Sequence, residues 1–229
     1  MTIADGKQLA ACIDHTLLSA TATSEQIRQL CEEAKNYGFC AVSVNPRWVA
    51  FAAEYLHGSK VKVDGVVSLP SGADTTKIKV AQTKENIFAG ADEIDMVADL
   101  ASIIEGDAGY LSNQLKEVLK VCHSMRPAVT LKVIIESAAL TREQIIFACR
   151  IAQDVGVDFV KTSTGMHPAG GAKAEDVKLM KETAPNCKIK VAGGIRTAKQ
   201  AIEMLDAGAD RLGTSSGVQI MQDFKAGQI

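Results

Sequence analysis

Residues 154–163 read DVGVDFVKTS, and residues 206–215 repeat the design as DAGADRLGTS. In both, a helical pattern runs into a glycine, one small or apolar residue follows, and a strand-like run begins. Glycine just past a helix is the expected left-handed C-cap, so each stretch marks a helix-to-strand joint. NYGFCAVSV from Asn36 and FAGADEIDMV from Phe88 carry the same punctuation, at Gly38 and Gly90 as at Gly156 and Gly208. Between these joints lie four more strand-like runs: ACIDHTL from Ala11, VKVDGVVSL from Val61, TLKVIIES from Thr130 and KIKVAGG from Lys188. Helical periodicity follows each strand, and three helices open with a T-x-x-Q capping signal, Thr23 with Gln26, Thr141 with Gln144 and Thr197 with Gln200. The reading gives eight strands and eight helices. Parallel neighbours need a crossover connection, so strict βα alternation implies a parallel sheet, and eight units without a linker imply closure into an α/β (β/α)8 TIM barrel, one domain over residues 1–229. An open doubly wound sheet competes, but no G-x-G-x-x-G follows the first strand, and VAGGI near the end lacks that spacing.

At 229 residues and 47% hydrophobic content the chain can bury a large core. A formal charge of −2 and 4% aromatic residues provide neither a phosphate-tracking surface nor stacking rings, so a nucleic-acid partner is not expected. The N-terminal MTIADGKQLAACID has no basic segment ahead of an apolar core, and no apolar run nears the ~20 residues that span a bilayer. A cytoplasmic protein with no membrane partner is expected. The six cysteines are scattered without a C-x-x-C pair and read as reduced core residues; the four histidines form no H-E-x-x-H, so no metal is expected.

In a barrel of this kind the reacting groups sit at the C-terminal ends of the strands. Lys161 interrupts an otherwise apolar run there. It either reaches water at the strand end or has its charge chemistry altered by burial. Lys190, on the next strand, lies close to the same end, and strands about 4.8 Å apart bring two inward lysines together, so that one ammonium depresses the pKa of the other. An amine kept neutral that way adds to an aldehyde to form a Schiff base. Asp95, between Ile94 and Met96, is either a proton acceptor for a substrate hydroxyl or a salt-bridge partner of barrel lysines, among them Lys132, in a network that Glu136 can join. Asp14 in CIDHTLL has a similar setting and can orient other groups. VAGGIRT (Val191–Thr197) and LGTSSG (Leu212–Gly217) place Gly193, Gly194, Ser215 and Ser216 after strands seven and eight, where barrels often bind phosphate on backbone N–H groups, although such glycines also serve as turns.

The ordered set CIDHTLL, AVSVNPRWV, VVSLPSG, GADEIDMV, LKVIIES, FVKTSTG, KVAGGIRT and RLGTSSG resembles the class I, Schiff-base deoxyribose-phosphate aldolases from about Ile13 to Gly217. The resemblance implies cleavage of 2-deoxy-D-ribose 5-phosphate to glyceraldehyde 3-phosphate and acetaldehyde without a cofactor. It makes Lys161 the Schiff-base lysine, Lys190 the lysine that keeps it unprotonated, and Asp95 the carboxylate of proton transfer. Gly193, Gly194, Ser215 and Ser216 fall on phosphate positions, and Asp14 and Thr164 on supporting polar positions. It implies sugar-phosphate and aldehyde ligands and a homo-oligomer, a dimer or tetramer. Four departures stand out: Ser43 where members commonly carry cysteine, Met166 where lysine or phenylalanine is more familiar, Asp99 where a neutral residue is expected, and KAGQI in place of a tail with a tyrosine tied to enamine protonation. A flavin-dependent oxidoreductase barrel and a sugar-phosphate sensor without turnover are the competing functions.

Overall fold

The computed structural model describes residues 5–227; Met1 to Ala4, within the N-terminal stretch read above, and Gln228 and Ile229, the end of KAGQI, lie outside them. Eight parallel strands close in sequence order into a barrel. They are β1 (Ile13–Leu17), β2 (Ala41–Val44), β3 (Lys62–Val67), β4 (Glu93–Val97), β5 (Thr130–Ile134), β6 (Phe159–Lys161), β7 (Lys188–Ala192) and β8 (Arg211–Thr214). The expected (β/α)8 barrel is present, and all eight anticipated strands form.

The recurring joint does more than end a helix. Two residues after Gly90, Gly156 and Gly208 stands an aspartate, and each carboxylate accepts the backbone N–H of the second residue of the preceding strand: Asp92 from Val63 (2.9 Å), Asp158 from Leu131 (2.8 Å) and Asp210 from Ile189 (2.8 Å). The G-x-D pattern thereby pins neighbouring strands in register at the bottom of the barrel. Gly38 and Gly156 are left-handed C-caps, with φ of 75° and 84°, whereas the helices before Gly90 and Gly208 are capped by Ala89 and Ala207 and the glycine turns the chain one residue later. All three T-x-x-Q signals form reciprocal capping boxes.

Ten α-helices occur among the described residues, two more than the sequence pattern gave: α1 (Gly6–Ala10), α2 (Ser24–Tyr37), α3 (Pro46–Tyr55), α4 (Thr76–Phe88), α5 (Leu100–Glu105), α6 (Ala108–Ser124), α7 (Arg142–Val155), α8 (Ala174–Thr183), α9 (Ala198–Asp206) and α10 (Gly217–Lys225). The short α1, capped by Asp5, precedes β1, buries Leu9 and Ala10 and packs on α10. The β4–β5 crossover is split, because Gly106 ends α5 in the left-handed region and Asp107 caps a new helix at once. Asp99 begins that crossover as the cap of α5, accepting from Ser102 N–H at 2.7 Å, which accounts for an acidic residue at this place. The strand of DVGVDFVKTS is short: β6 ends at Lys161, and Thr162 continues the lateral bonding through its hydroxyl to Ala192.

Candidate active site

Parity and register stack the inward side chains in tiers, each from alternate strands. The lowest holds Ala41, Glu93, Phe159 and Arg211; the next Asp14, Asp64, Lys132 and Lys190; the third Ser43, Asp95, Lys161 and Gly213. Such tiers are normally filled by Val, Ile and Leu. Here eight of the twelve residues are ionisable, and their carboxylates and cations interlock.

Lys132 reaches Asp64 (3.0 Å), Glu93 (2.8 Å) and Asp95 (3.0 Å). Lys190 reaches Asp14 (2.6 Å), Asp95 (2.7 Å) and Asp64 (2.9 Å). Arg211 holds Asp14 (2.7 Å) and Glu93 (3.3 Å), and among the described residues Lys161 pairs with Asp95 alone, at 2.6 Å. Asp14, Asp64, Glu93, Asp95, Lys132 and Lys190 have no solvent exposure. Burial of each charge is costly, and only this mutual pairing makes the interior tolerable.

The two site lysines are pushed in opposite directions. Burial lowers the Lys161 amine below its ordinary value, the Lys190 charge adds to that, and Asp95 opposes it. Burial also acts against the Lys190 ammonium, but Asp14, Asp64 and Asp95 more than compensate and hold it above the ordinary lysine range. Asp95 is held well below the carboxylate range despite burial, by Lys132, Lys161 and Lys190. The two lysines, joined through Asp95, are thus shifted in opposite senses, Lys161 down and Lys190 up.

Above Lys161 opens a cleft of about 320 Å³. Its walls include Thr16, Thr164, Gly193, Gly194, Arg196 and Ser215, with Lys161 and Gly213 at the floor. Gly213 matters by what it lacks: a Cβ there would lie 3.2 Å from Cε of Lys190 and from Cβ of Ala192, filling the floor. The wall is formed by two loops in contact. Gly171 of the β6–α8 loop lies so close to Gly193 of the β7–α9 loop that a Cβ on it would come within 2.2 Å of the Gly193 carbonyl oxygen, and Ala172 N–H donates to that oxygen at 3.2 Å. Gly193 and Gly194 both have positive φ, 94° and 85°, conformations that favour glycine.

Ser215 lines the cleft and is exposed; Ser216 stands behind it as the N-cap of α10, its N–H donating to the Thr214 hydroxyl at 2.9 Å. Its side chain makes no capping bond, so the first N–H groups of α10 are left without the side-chain partner that Thr197 supplies to α9. Lys161, Thr164, Gly193, Gly194 and Ser215 therefore share one cleft. Asp95 and Lys190 are fully buried beneath it, Asp95 against Lys161 and Lys190 against Asp95. Asp14 lies a tier below Lys161, buried against Lys190 and Arg211, and does not face the cleft. Glu136 does not join the carboxylate network: it turns away at a positive φ of 54° and both its oxygens accept Thr164 N–H, at 3.1 and 3.2 Å. Met166 is 46% exposed at the rim. Among the described residues, no group of three or more His, Cys, Asp or Glu is arranged to hold a metal ion, and no helix is long and apolar enough to cross a membrane.

The sequence reading missed Asp64, Glu93 and Arg211. Asp64, in VKVDGVV, stands between Val63 and Gly65 just as Asp95 stands between Ile94 and Met96, and that alternation was the available signal. Glu93 and Arg211 stand next to the joint aspartates and read as loop charges.

A model of the DeoC/LacD family aldolases matches residues 9–223. The chain belongs to this aldolase family. It is 49% identical over 222 residues to a deoxyribose-phosphate aldolase from Aciduliprofundum boonei, covering 96% of this chain and 99% of that one. A deoxyribose-phosphate aldolase from Thermococcus gammatolerans is 48% identical over 220 residues, covering 95% and 96%. Among solved structures, the tetrameric deoxyribose phosphate aldolase of Aeropyrum pernix superimposes with a TM-score of 0.91 at 29% identity, covering 98% of this chain and 94% of that one. Membership of an aldolase family sets the flavin oxidoreductase reading aside.

Proposed function

We propose that the protein cleaves 2-deoxy-D-ribose 5-phosphate reversibly to D-glyceraldehyde 3-phosphate and acetaldehyde through an imine on Lys161. The observation that carries this reading is the Lys161 amine itself: it is 3% exposed, opens to the cleft, has Asp95 as its one ion-pair partner among the described residues, and stands beside a Lys190 that stays charged. Burial and a cationic neighbour make a free amine available near neutral pH, as nucleophilic addition requires. The match along almost the full length to deoxyribose-phosphate aldolases supports the choice of substrate.

Lys161 attacks C1 of the open-chain sugar, and loss of water gives an iminium ion. Asp95, through water, takes the proton of the C3 hydroxyl as the C2–C3 bond breaks and its electrons pass into the iminium. Glyceraldehyde 3-phosphate leaves, the enamine is protonated at C2, and hydrolysis frees acetaldehyde and the lysine. The phosphate lies against the backbone of Gly193 and Gly194, Ser215, and the start of α10 at Ser216, where N–H groups and the helix dipole favour an anion. Thr164 lines the cleft from the β6–α8 loop that packs on Gly193, and Asp14 acts from below by holding Lys190. No metal or organic cofactor enters these steps. The enzyme is one barrel domain over residues 1–229, cytoplasmic, and a homo-oligomer, for which the tetrameric Aeropyrum pernix relative is the precedent.

The test is direct. Purified protein given 2-deoxyribose 5-phosphate should release acetaldehyde and glyceraldehyde 3-phosphate in equal amounts, at a rate unchanged by a chelator. No release of either product would overturn the proposal.

A further inference from the structure

The charges inside the barrel do not balance at every step of an imine reaction. Over a cycle, Nζ of Lys161 is positive as the ammonium and as the iminium, and neutral as the attacking amine, the carbinolamine and the enamine. Against it stand four buried carboxylates, Asp14, Asp64, Glu93 and Asp95, and three other cations, Lys132, Lys190 and Arg211, all held above their ordinary range by those carboxylates against the pull of burial. Lys62 also reaches Glu93, at 2.9 Å, but from the solvent side with its side chain 46% exposed. When Nζ is positive the interior is neutral. When Nζ is neutral one carboxylate is left without a counterpart, in a place where an uncompensated charge is strongly disfavoured.

We propose that Asp64 takes up the proton that Lys161 gives up and returns it as the iminium forms, a positioning residue acting through Asp95 and Lys190. This rests on the Schiff-base reading above. Two observations single it out, the sharing of its cations and the direction in which its surroundings push it. Asp14 is shared by Lys190 and Arg211, Glu93 by Lys62, Lys132 and Arg211, and Asp95 by three lysines. Asp64 has Lys132 at 3.0 Å and Lys190 at 2.9 Å, and each of these also serves two other carboxylates. The groups facing it are Asp14 from β1, Asp95 from β4, Lys132 from β5 and Lys190 from β7. Burial and the Asp95 charge raise the Asp64 carboxyl, whereas the other three carboxyls are held low by their cations in spite of burial.

A path exists through contacts already described. Lys161 Nζ lies 2.6 Å from Asp95 Oδ2, that oxygen 2.7 Å from Lys190 Nζ, and Lys190 Nζ 2.9 Å from Asp64 Oδ2. The Lys161 ammonium gives a proton to Asp95, Asp95 gives one to Lys190 as Lys190 gives one to Asp64, and the net change is Lys161–NH3⁺ and Asp64–COO⁻ to Lys161–NH2 and Asp64–COOH. When the carbinolamine C–O bond breaks, the proton runs back and leaves with the hydroxyl as water: carbinolamine and Asp64–COOH become iminium, Asp64–COO⁻ and H2O. No proton need enter from solvent.

The experiment is to add acetaldehyde to wild-type protein in weakly buffered solution containing a pH indicator. The pH is set above the acid limb of its rate profile, and borohydride in a parallel sample counts the imine formed on Lys161. Wild type should form the imine with no net proton uptake. The Asp64→Asn protein, in which the free amine has no internal proton to recover, should take up about one proton per imine. Wild-type uptake of about one proton per imine would overturn the proposal without touching the Schiff base, and so would an Asp64→Asn protein that, like wild type, takes up no proton. A purely structural role for Asp64 would not change the proton stoichiometry. Asp64→Ala replaces the amide if that variant does not fold, and the wild-type measurement decides on its own. Absence of any adduct on Lys161 would remove the Schiff-base reading and this inference together.

Discussion

Replacing Lys190 with methionine tests the pairing of the two lysines, and its size can be worked from the geometry. The Lys161 and Lys190 nitrogens lie 2.6 and 2.7 Å from the same oxygen of Asp95. They are therefore no more than about 5 Å apart, and at an effective dielectric of ~20 two unit charges there repel by roughly 3 kcal/mol, equivalent to about two pKa units. Loss of the Lys190 charge removes that repulsion and leaves Asp14, Asp64 and Asp95 drawing on fewer cations. Both effects favour the protonated form of Lys161. The nucleophile is the neutral amine, whose population falls as pH drops below the Lys161 pKa, so a higher pKa moves the acid limb of kcat/KM upward. In Lys190→Met the limb should move up by about two units, with activity at pH below the limb reduced on the order of 100-fold and partly recovered at alkaline pH. Removing one partner of a buried ion network also costs about 3–5 kcal/mol of stability, so thermal melting must show that the variant is folded at the assay temperature. A folded Lys190→Met protein with an unmoved acid limb would refute the electrostatic coupling.

Other perturbations separate the remaining parts of the site. Ser215→Glu combined with Ser216→Glu should weaken binding of 2-deoxyribose 5-phosphate by at least about tenfold, while cleavage of unphosphorylated 2-deoxyribose changes little, because the new carboxylates repel only the phosphate; equal losses for both sugars would dissociate these loops from the phosphate. Glu136→Gln keeps the size of the side chain but removes the charge that holds Thr164 N–H, a charge-assisted bond worth about 1.5–3 kcal/mol. The expected result is a several-fold rise in KM for the phosphorylated sugar with an unmoved acid limb, and a shifted limb with unchanged KM would place Glu136 in the proton network instead.

The fold was legible because its punctuation is local. Glycine after a helix, T-x-x-Q before one, and an apolar run between them are each decided by a few neighbouring residues, and the strands fell where those signals put them. The additional helices were less visible. Gly106–Asp107 divides one crossover with a turn inside a continuous helical pattern, and α1 is too short to show a period. In the site, Lys161, Lys190 and Asp95 stood out because a charge in an apolar run demands a reason. Asp64 met the same criterion and was passed over, since no neighbouring motif drew attention to it. Glu93 and Arg211 were hidden for another cause: they follow the joint aspartates directly, and only the barrel's closure turns them inward to meet Asp14 and Lys132. The conformation of Glu136, with φ of 54° at a strand end, has no counterpart in its sequence context, and LKVIIES gives no sign that its carboxylate serves a backbone N–H rather than a lysine.

The identity of the nucleophile is the claim on which the rest depends. Incubating the protein with dilute acetaldehyde and a borohydride reagent for a short time, followed by digestion and mass spectrometry, reads it directly. Solvated lysines are largely protonated at neutral pH, so the buried amine should react first. The account predicts one stable ethyl group on the peptide containing VKTSTGM, at Lys161, and loss of both the adduct and the cleavage activity in a folded Lys161→Leu protein. Adducts spread evenly over surface lysines, or a folded Lys161→Leu protein releasing acetaldehyde at the wild-type rate, would contradict it.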